Sequence, residues 1–273
     1  MSADIKRRVV VTGASSGIGR EIAIMLAQPG VCLWIFGRGP ERLKATGDLA
    51  REKGAEVQTV ILDFSHIDEL TEILNVNFPE DLPIDSVYLA AGMTSFGEFQ
   101  YLKSEDLELL YKVNLLSPIQ MCHHFYRHMI ARKSGEIVLV SSLSAFTGYP
   151  TASFYATTKA GLLGLYKSLV YEGKCHGVSV VHVAVGYVNS SIYKNAIYRN
   201  TTYERTMKSI KKLGFAILEP REAAQKIVRG VERGKTNFAT PAYATLMKWI
   251  APRVPRLVNL VHRRMLKIHN SIL

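Results

Sequence analysis

Tyr155 and Lys159 stand four residues apart in TASFYATTKAG, a spacing that puts both side chains on one face of a helix. A free phenol titrates near ~10, and an ammonium a few ångströms away favours the phenolate, so the pair reads as a proton donor and acceptor usable at neutral pH. Ser142 lies 13 residues earlier, at the carboxyl end of the apolar run GEIVLVSS, where open α/β sheets bind their ligands. Its hydroxyl and the phenol suit one substrate oxygen while hydride reaches the adjoining carbon. Asn114, in YKVNLLS, is the fourth candidate, because an amide is mildly unfavourable inside a helix and needs a reason to be there.

TGASSGIG, from Thr12 to Gly19, follows a β-branched run and opens a helical one. Gly13 suits the sharp turn, Gly17 lets backbone approach a pyrophosphate, and Gly19 allows close packing of helix on strand. With Ser15, Ser16 and Ile18 between them, the loop presents free N–H groups and the positive end of a helix dipole to phosphate. The end of the second apolar run selects between the two nicotinamide cofactors. A ribose hydroxyl there wants an acid, whereas a 2′-phosphate wants a cation. The chain has Gly37 then Arg38, with Arg42 a turn later and no carboxylate before Glu41. Arg38 is therefore expected to grip a 2′-phosphate with its planar fork, and the expected cofactor is NADP(H).

These residues need a scaffold that gathers the ends of several strands. Short β-branched runs (8–12, 31–37, 56–63, 84–92, 135–142, 177–186) alternate with helical periodicity near 18–27, 40–53, 67–75, 104–132 and 153–174. Runs that are apolar on both faces and separated by helices predict an α/β fold, a Rossmann-like doubly wound parallel sheet with helices on both faces. No linker or repeat divides the chain, so residues 1–240 are expected to form one catalytic domain. Within it, the polar, tyrosine-rich stretch 189–214 is expected to be a lid. NFAT (237–240) reads as a last short strand, followed by a proline-broken extension over 241–273.

The ordered motifs TGxxxGxG and YxxxK, with Ser142 between them, make the chain resemble a short-chain dehydrogenase/reductase over about residues 8–240. The resemblance implies hydride transfer with a nicotinamide cofactor and a catalytic tetrad at Asn114, Ser142, Tyr155 and Lys159. It implies that Lys159 also holds the nicotinamide ribose and that Asn114 holds a relay water. It further implies cofactor contacts at Asp63, Phe64, Ala90, Ala91, Gly92, Val188 and Ser190. Two departures stand out. The family's N-N-A-G is Leu89-Ala90-Ala91-Gly92 here, without the asparagine amides that brace neighbouring strands, and its P-G-x-V-x-T is Val185-Gly186-Tyr187-Val188-Asn189-Ser190.

Of 273 residues, 48% are hydrophobic and 21% charged, a balance that excludes disorder over most of the length. Cys32, Cys122 and Cys175, odd in number and far apart, read as reduced thiols packed inside. His123 and His124 are helix neighbours that do not face one another, and no metal is expected. With neither a signal-like apolar segment nor ~18 uninterrupted apolar residues, the expected location is cytoplasmic, with peripheral membrane contact.

The net charge is +11, and it is unevenly placed. Residues 1–193 hold 17 Lys and Arg against 19 Asp and Glu, or −2, while residues 194–273 hold 17 against 4, or +13. Such asymmetry points to an anionic partner. In the extension, Leu257, Leu260, Val261, Met265, Ile268 and Ile272 recur at helical spacing, with Arg256, Asn259, Arg263, Lys267 and Asn270 mainly opposite. Residues 243–273 are expected to meet an anionic membrane surface, with a subunit contact as the alternative. Nucleic acid is not expected, since aromatics are not interleaved as stacking platforms. Tyr187, Tyr193, Tyr198 and Tyr203 suit either a bulky apolar substrate or packing of the lid on its own domain. Lys208, Lys211 and Lys212 suit either a solvated helix face or an acidic carrier thioester. The reading as a whole is an NADPH-dependent reductase of a hydrophobic carbonyl (3-oxoacyl, sterol or other lipid ketone) working as a homo-oligomer. Its alternative is a membrane-associated NADP(H)-binding sensor or scaffold without turnover.

Overall fold

Val9 and Val11 point to one side of the first strand and Val10 to the other, yet all three are fully buried. A strand of this kind needs cover on both faces. The computed structural model describes residues 5–271. Along it run β1 (Arg7–Thr12), α1 (Gly17–Leu26), β2 (Val31–Gly37), α2 (Pro40–Glu52), β3 (Glu56–Ile61), α3 (Ile67–Asn77) and β4 (Ser86–Leu89). After a short β5 (Ser95–Phe96) come α4 (Ser104–Tyr111), α5 (Ser117–Arg132), β6 (Gly135–Ser142), the single turn α6 (Ser144–Thr147), α7 (Ser153–Cys175) and β7 (Val178–Val185). The chain closes with β8 (Ile197–Tyr198), α8 (Tyr203–Lys212), α9 (Pro220–Glu232), β9 (Asn237–Thr240), α10 (Ala242–Ile250) and α11 (Pro255–Asn270).

Seven strands form one parallel sheet in the order β3-β2-β1-β4-β6-β7-β9. Val9 and Val11 enter a core shared with α1, α2 and α9, while Val10 enters another shared with α3, α5 and α7. The fold is the doubly wound α/β arrangement that alternating apolar runs demand. Its strand order reverses between β1 and β4, so the carboxyl ends of β1, β4, β6 and β7 lie side by side. Loops leaving those four ends splay apart and leave the crevice in which open α/β sheets bind ligands.

Three local features differ from the sequence expectations. The helix expected over 104–132 is interrupted at Lys112–Leu116 by a turn of π-helix, which inserts one extra residue between α4 and α5. The 189–214 stretch carries order of its own. β8 pairs in parallel with β5, α8 is capped by Thr202, whose hydroxyl accepts from the Arg205 amide at 3.3 Å, and Arg199 grips buried Asp106 through two bonds of 2.8 and 2.7 Å. A planar fork on a carboxylate is a long-range contact with no local pattern to announce it. Finally, Cys32 and Cys122 are buried as expected, but Cys175 sits exposed at the end of α7.

Candidate active site

Gly13 follows β1 in the left-handed region at φ +70°, and a Cβ there would lie 2.9 Å from the Ala91 Cα. Only glycine meets both demands. A Cβ on Gly19 would come within 2.6 Å of the Gly13 carbonyl oxygen, so the first turn of α1 presses directly on the loop. The loop where asparagine amides are missing has a different brace. The Thr12 hydroxyl accepts from the Ala90 and Ala91 amides at 3.0 and 2.9 Å, tying β1 to the end of β4. Ser16 occupies the N-cap of α1 without bonding the helix's own amides, and its oxygen instead accepts from Ser191 at 3.0 Å.

A cleft runs from Gly13, Ser15, Ser16, Gly17, Ile18 and Gly19 across to Asp63, Phe64, Ala90, Ala91 and Gly92, and reaches Ser190. Arg38 stands on its rim, paired with Asp63 at 3.5 Å, and Arg42 faces the same space. Burial pushes the Asp63 carboxyl up, but hydrogen bonds from Ser65 and the nearby Arg38 outweigh it and leave the group below its usual value. Val188 is buried beside the cleft, bridged to Leu218, and accepts from the Ser190 amide at 2.8 Å.

Ile18, Ala90, Gly92, Ser190 and Ile192 line both this cleft and a second chamber, which makes the two continuous. At their junction sit the residues read as proton-transfer groups. Ser142 ends β6 and accepts from the Ser144 amide at 3.2 Å. Tyr155 lies in the first turn of α7 with Lys159 a turn later, and the ammonium is 5.8 Å from the phenol ring centre. Lys159 is buried, donates to the Val140 carbonyl at 3.3 Å, and is lowered to about 8 by burial. The expectation that the ammonium lowers the phenol is corrected here. Burial drives Tyr155 above its ordinary value, opposed by the Ser142 hydroxyl beside it.

Asn114 is fully buried within the π-turn. Its oxygen accepts from the Met93 amide at 2.8 Å, and its nitrogen donates to the Met93 carbonyl at 2.9 Å and to Thr158 at 3.3 Å. The amide thus fastens the π-turn to the loop between β4 and β5 and to α7. A Cβ on Gly92 would be 3.3 Å from the Asn114 oxygen and 3.4 Å from the Lys159 nitrogen, so Gly92 leaves room between them.

A family model described as short chain dehydrogenase matches residues 7–200. The chain belongs to the short-chain dehydrogenase/reductase family. A 3-oxoacyl-[acyl-carrier-protein] reductase of Buchnera aphidicola is 30% identical over 77% of this chain and 85% of its own. An 11-beta-hydroxysteroid dehydrogenase-like protein (4A) of Arabidopsis thaliana is 27% identical over 92% of this chain and 81% of its own. Among solved structures, a short-chain dehydrogenase from Sphingobium yanoikuyae in complex with NADPH superposes with a TM-score of 0.78, covering 93% of this chain and 95% of that one at 25% identity.

In this short-chain dehydrogenase the chamber wall draws on residues the motifs do not reveal. Tyr149, Tyr187, Tyr193 and Tyr243 line it, with Tyr187 donating to Tyr149 at 3.0 Å and the Tyr243 hydroxyl accepting from the Tyr187 amide at 2.7 Å. The C-terminal extension forms part of the same wall through Met247, Val258, Val261, His262 and Met265. The apolar stripe expected there is therefore divided. Val258, Val261 and Met265 face the chamber, whereas Leu257 and Leu260 are exposed; Ile272 lies outside the described residues. Val258, and not Leu257, is the residue that meets the chamber, on a helix that packs against α8. His124, of the histidine pair, approaches the Phe78 carbonyl at 3.3 Å and packs against His128 with the two rings tilted by 57°.

Proposed function

We propose that this protein uses NADPH to reduce a bulky, apolar ketone to the alcohol. The observation that carries the reading is a chamber walled by Val185, Val188, Phe215, Met247, Val258 and Met265 into whose lining Ser142 and Tyr155 are set. Its volume of about 180 Å³ exceeds the ~150 Å³ that accommodates a benzene ring, and its lining is mostly apolar. The names of the Buchnera and Arabidopsis relatives, one an acyl-chain ketone reductase and one steroid-related, support the same substrate class.

The cleft fits NADP(H). The α1 N-terminus, whose amides Ser16 leaves free, suits the pyrophosphate, and Arg38 with Arg42 suits the 2′-phosphate. The NADPH in the Sphingobium structure supports that choice. When bound, NADPH supplies hydride to the substrate carbon. Ser142 donates a hydrogen bond to the carbonyl oxygen and orients it. Tyr155, a phenol protonated at neutral pH, gives its proton to that oxygen as negative charge develops. Lys159, a buried cation a turn away, stabilises the phenolate that remains. Asn114, with its amide already bonded to Met93 and Thr158, is a positioning residue that sets α7 against the π-turn.

The test is an NADPH-oxidation screen over lipid, steroid and acyl-thioester ketones with wild type and Tyr155→Phe. Turnover of at least one bulky ketone, abolished in the variant, is expected. Equal turnover in the two proteins would remove Tyr155 as the proton donor, and an inert panel beside tight NADPH binding would leave a nucleotide sensor instead of a reductase.

A further inference from the structure

Half of the twelve exposed large apolar side chains among the described residues fall in one short part of the molecule. They are Leu246 and Trp249 on α10, Val254 in the turn after it, and Leu257, Leu260 and Leu266 on α11. The other six are scattered over α3, α4, α7, the end of β3 and the turn after β5, as single exposed apolar residues commonly are. The same stretch carries Lys248, Arg253, Arg256, Arg263, Arg264 and Lys267 and has no aspartate or glutamate. Among the described residues none of these six cations is in an ion pair. Lys248 and Arg253 instead flank the Trp249 ring, at 5.9 and 5.2 Å from its centre. Arg256, Leu260, Arg263 and Lys267 share the outer face of α11, an exposed leucine set in a row of cations.

The opposite face of the same helices is the chamber wall, through Met247, Val258, Val261 and Met265. A single layer of helix therefore separates the substrate chamber from a cationic, apolar-studded surface. We propose that α10 and α11 dock the protein on an anionic lipid bilayer and that its ketone substrate enters the chamber past them from the lipid phase.

Three observations select this occupant. Tryptophan and leucine bordered by lysine and arginine match the boundary between acyl chains and anionic headgroups. A second copy of the chain docked through this face about a two-fold axis would bring like charges together with no carboxylates between them, which disfavours a dimer here. A substrate apolar enough to fill the chamber partitions into bilayers, so the entrance belongs where the substrate is. The delivery half of the inference rests on the chamber taking an apolar ketone; the docking half does not.

Full-length protein is floated with vesicles of phosphatidylcholine alone and with added phosphatidylserine, at physiological ionic strength. Binding to the anionic vesicles is expected. The triple variant Arg253→Gln/Arg256→Gln/Arg263→Gln is expected to bind them about a hundredfold more weakly, from ~1 kcal/mol per cation. Trp249→Ala with Leu260→Ala, which leaves every charge in place, is expected to lower binding about tenfold. None of these side chains lines the chamber, so turnover of a short water-soluble ketone is expected to stay at the wild-type rate. Turnover of a long-chain ketone held in the vesicles is expected to fall with binding in both variants. Wild type that stays with the buffer, or variants that float like wild type, overturns docking, and sedimentation showing dimers lost in the variants would assign the face to self-association. Reduced flotation with unchanged turnover of the vesicle-held ketone overturns delivery. Loss of all turnover in wild type, with flotation intact, would count against the reductase reading alone.

Discussion

The two halves of the cavity are held by different means. On the cofactor side, Gly13, Thr12, Ala90 and Ala91 are fixed through backbone contacts and left-handed φ, within a region carrying 17 Lys and Arg against 19 Asp and Glu. On the substrate side, the wall comes from Tyr149, Tyr187, Tyr243, Val258 and Met265, five residues on four separate segments, mostly within a region carrying 17 against 4. Backbone geometry tolerates few residue types, so the first side is constrained position by position. Side-chain packing tolerates many combinations of similar volume, so the second is free to vary with the substrate. Conserving a reaction while changing what undergoes it requires this division.

The contrast breaks if substitutions on the two sides have interchangeable effects. Tyr155→Phe removes the proposed proton donor and is expected to lower kcat by about 10²–10⁴-fold, the usual range for general acid catalysis, while the NADPH Kd from fluorescence titration holds. Arg38→Asp removes a cation from the cofactor rim and sets a second carboxylate beside Asp63. The NADPH Kd is expected to rise about 10–100-fold, from the ~1.5–3 kcal/mol of hydrogen bonds to a charged group, with little change for NADH. An unchanged NADPH affinity would mean that Arg42 carries the phosphate unaided. On the substrate side, Met265→Ala enlarges the chamber without touching cofactor or proton donor. It is expected to raise KM for a bulky ketone about tenfold and leave a small ketone unaffected, from the ~1–3 kcal/mol that such apolar contacts contribute.

The same division decides what could be read from the sequence. The glycine loop, Arg38, Ser142 and the Tyr155–Lys159 pair were legible because each depends on local spacing along one strand end or one helix turn. The sheet was legible because strands such as RVVVT are apolar on both faces. The π-turn was not, since YKVNLLS continues the helical pattern and the contacts that hold the turn, from Asn114 to Met93 and Thr158, are long-range. The clamp of Arg199 on Asp106 spans 93 positions and leaves no local trace. In the extension, periodicity identified a helix with one apolar side, but which residues met the chamber depended on how that helix is rotated. Val258 and Leu257 are equally apolar, and packing alone separates them.

Lys159 gives the smallest effect and the one whose sign is most informative. Burial lowers it to about 8 from an ordinary value of 10.5, so its charge is lost as pH climbs through about 8. If that charge supports proton donation by Tyr155, the reduction rate halves near that pH and drops further above it. Stability moves the other way. Between about 8 and 10.5 the unfolded chain holds a proton on Lys159 that the folded chain has released, so this group's contribution to stability increases with pH. A rate that declines while the Tm difference from Lys159→Met shifts in favour of wild type separates loss of chemistry from loss of fold. In Lys159→Met the rate is low throughout and the alkaline limb disappears. An alkaline decline of equal shape in both proteins would place the titrating group elsewhere in the chamber.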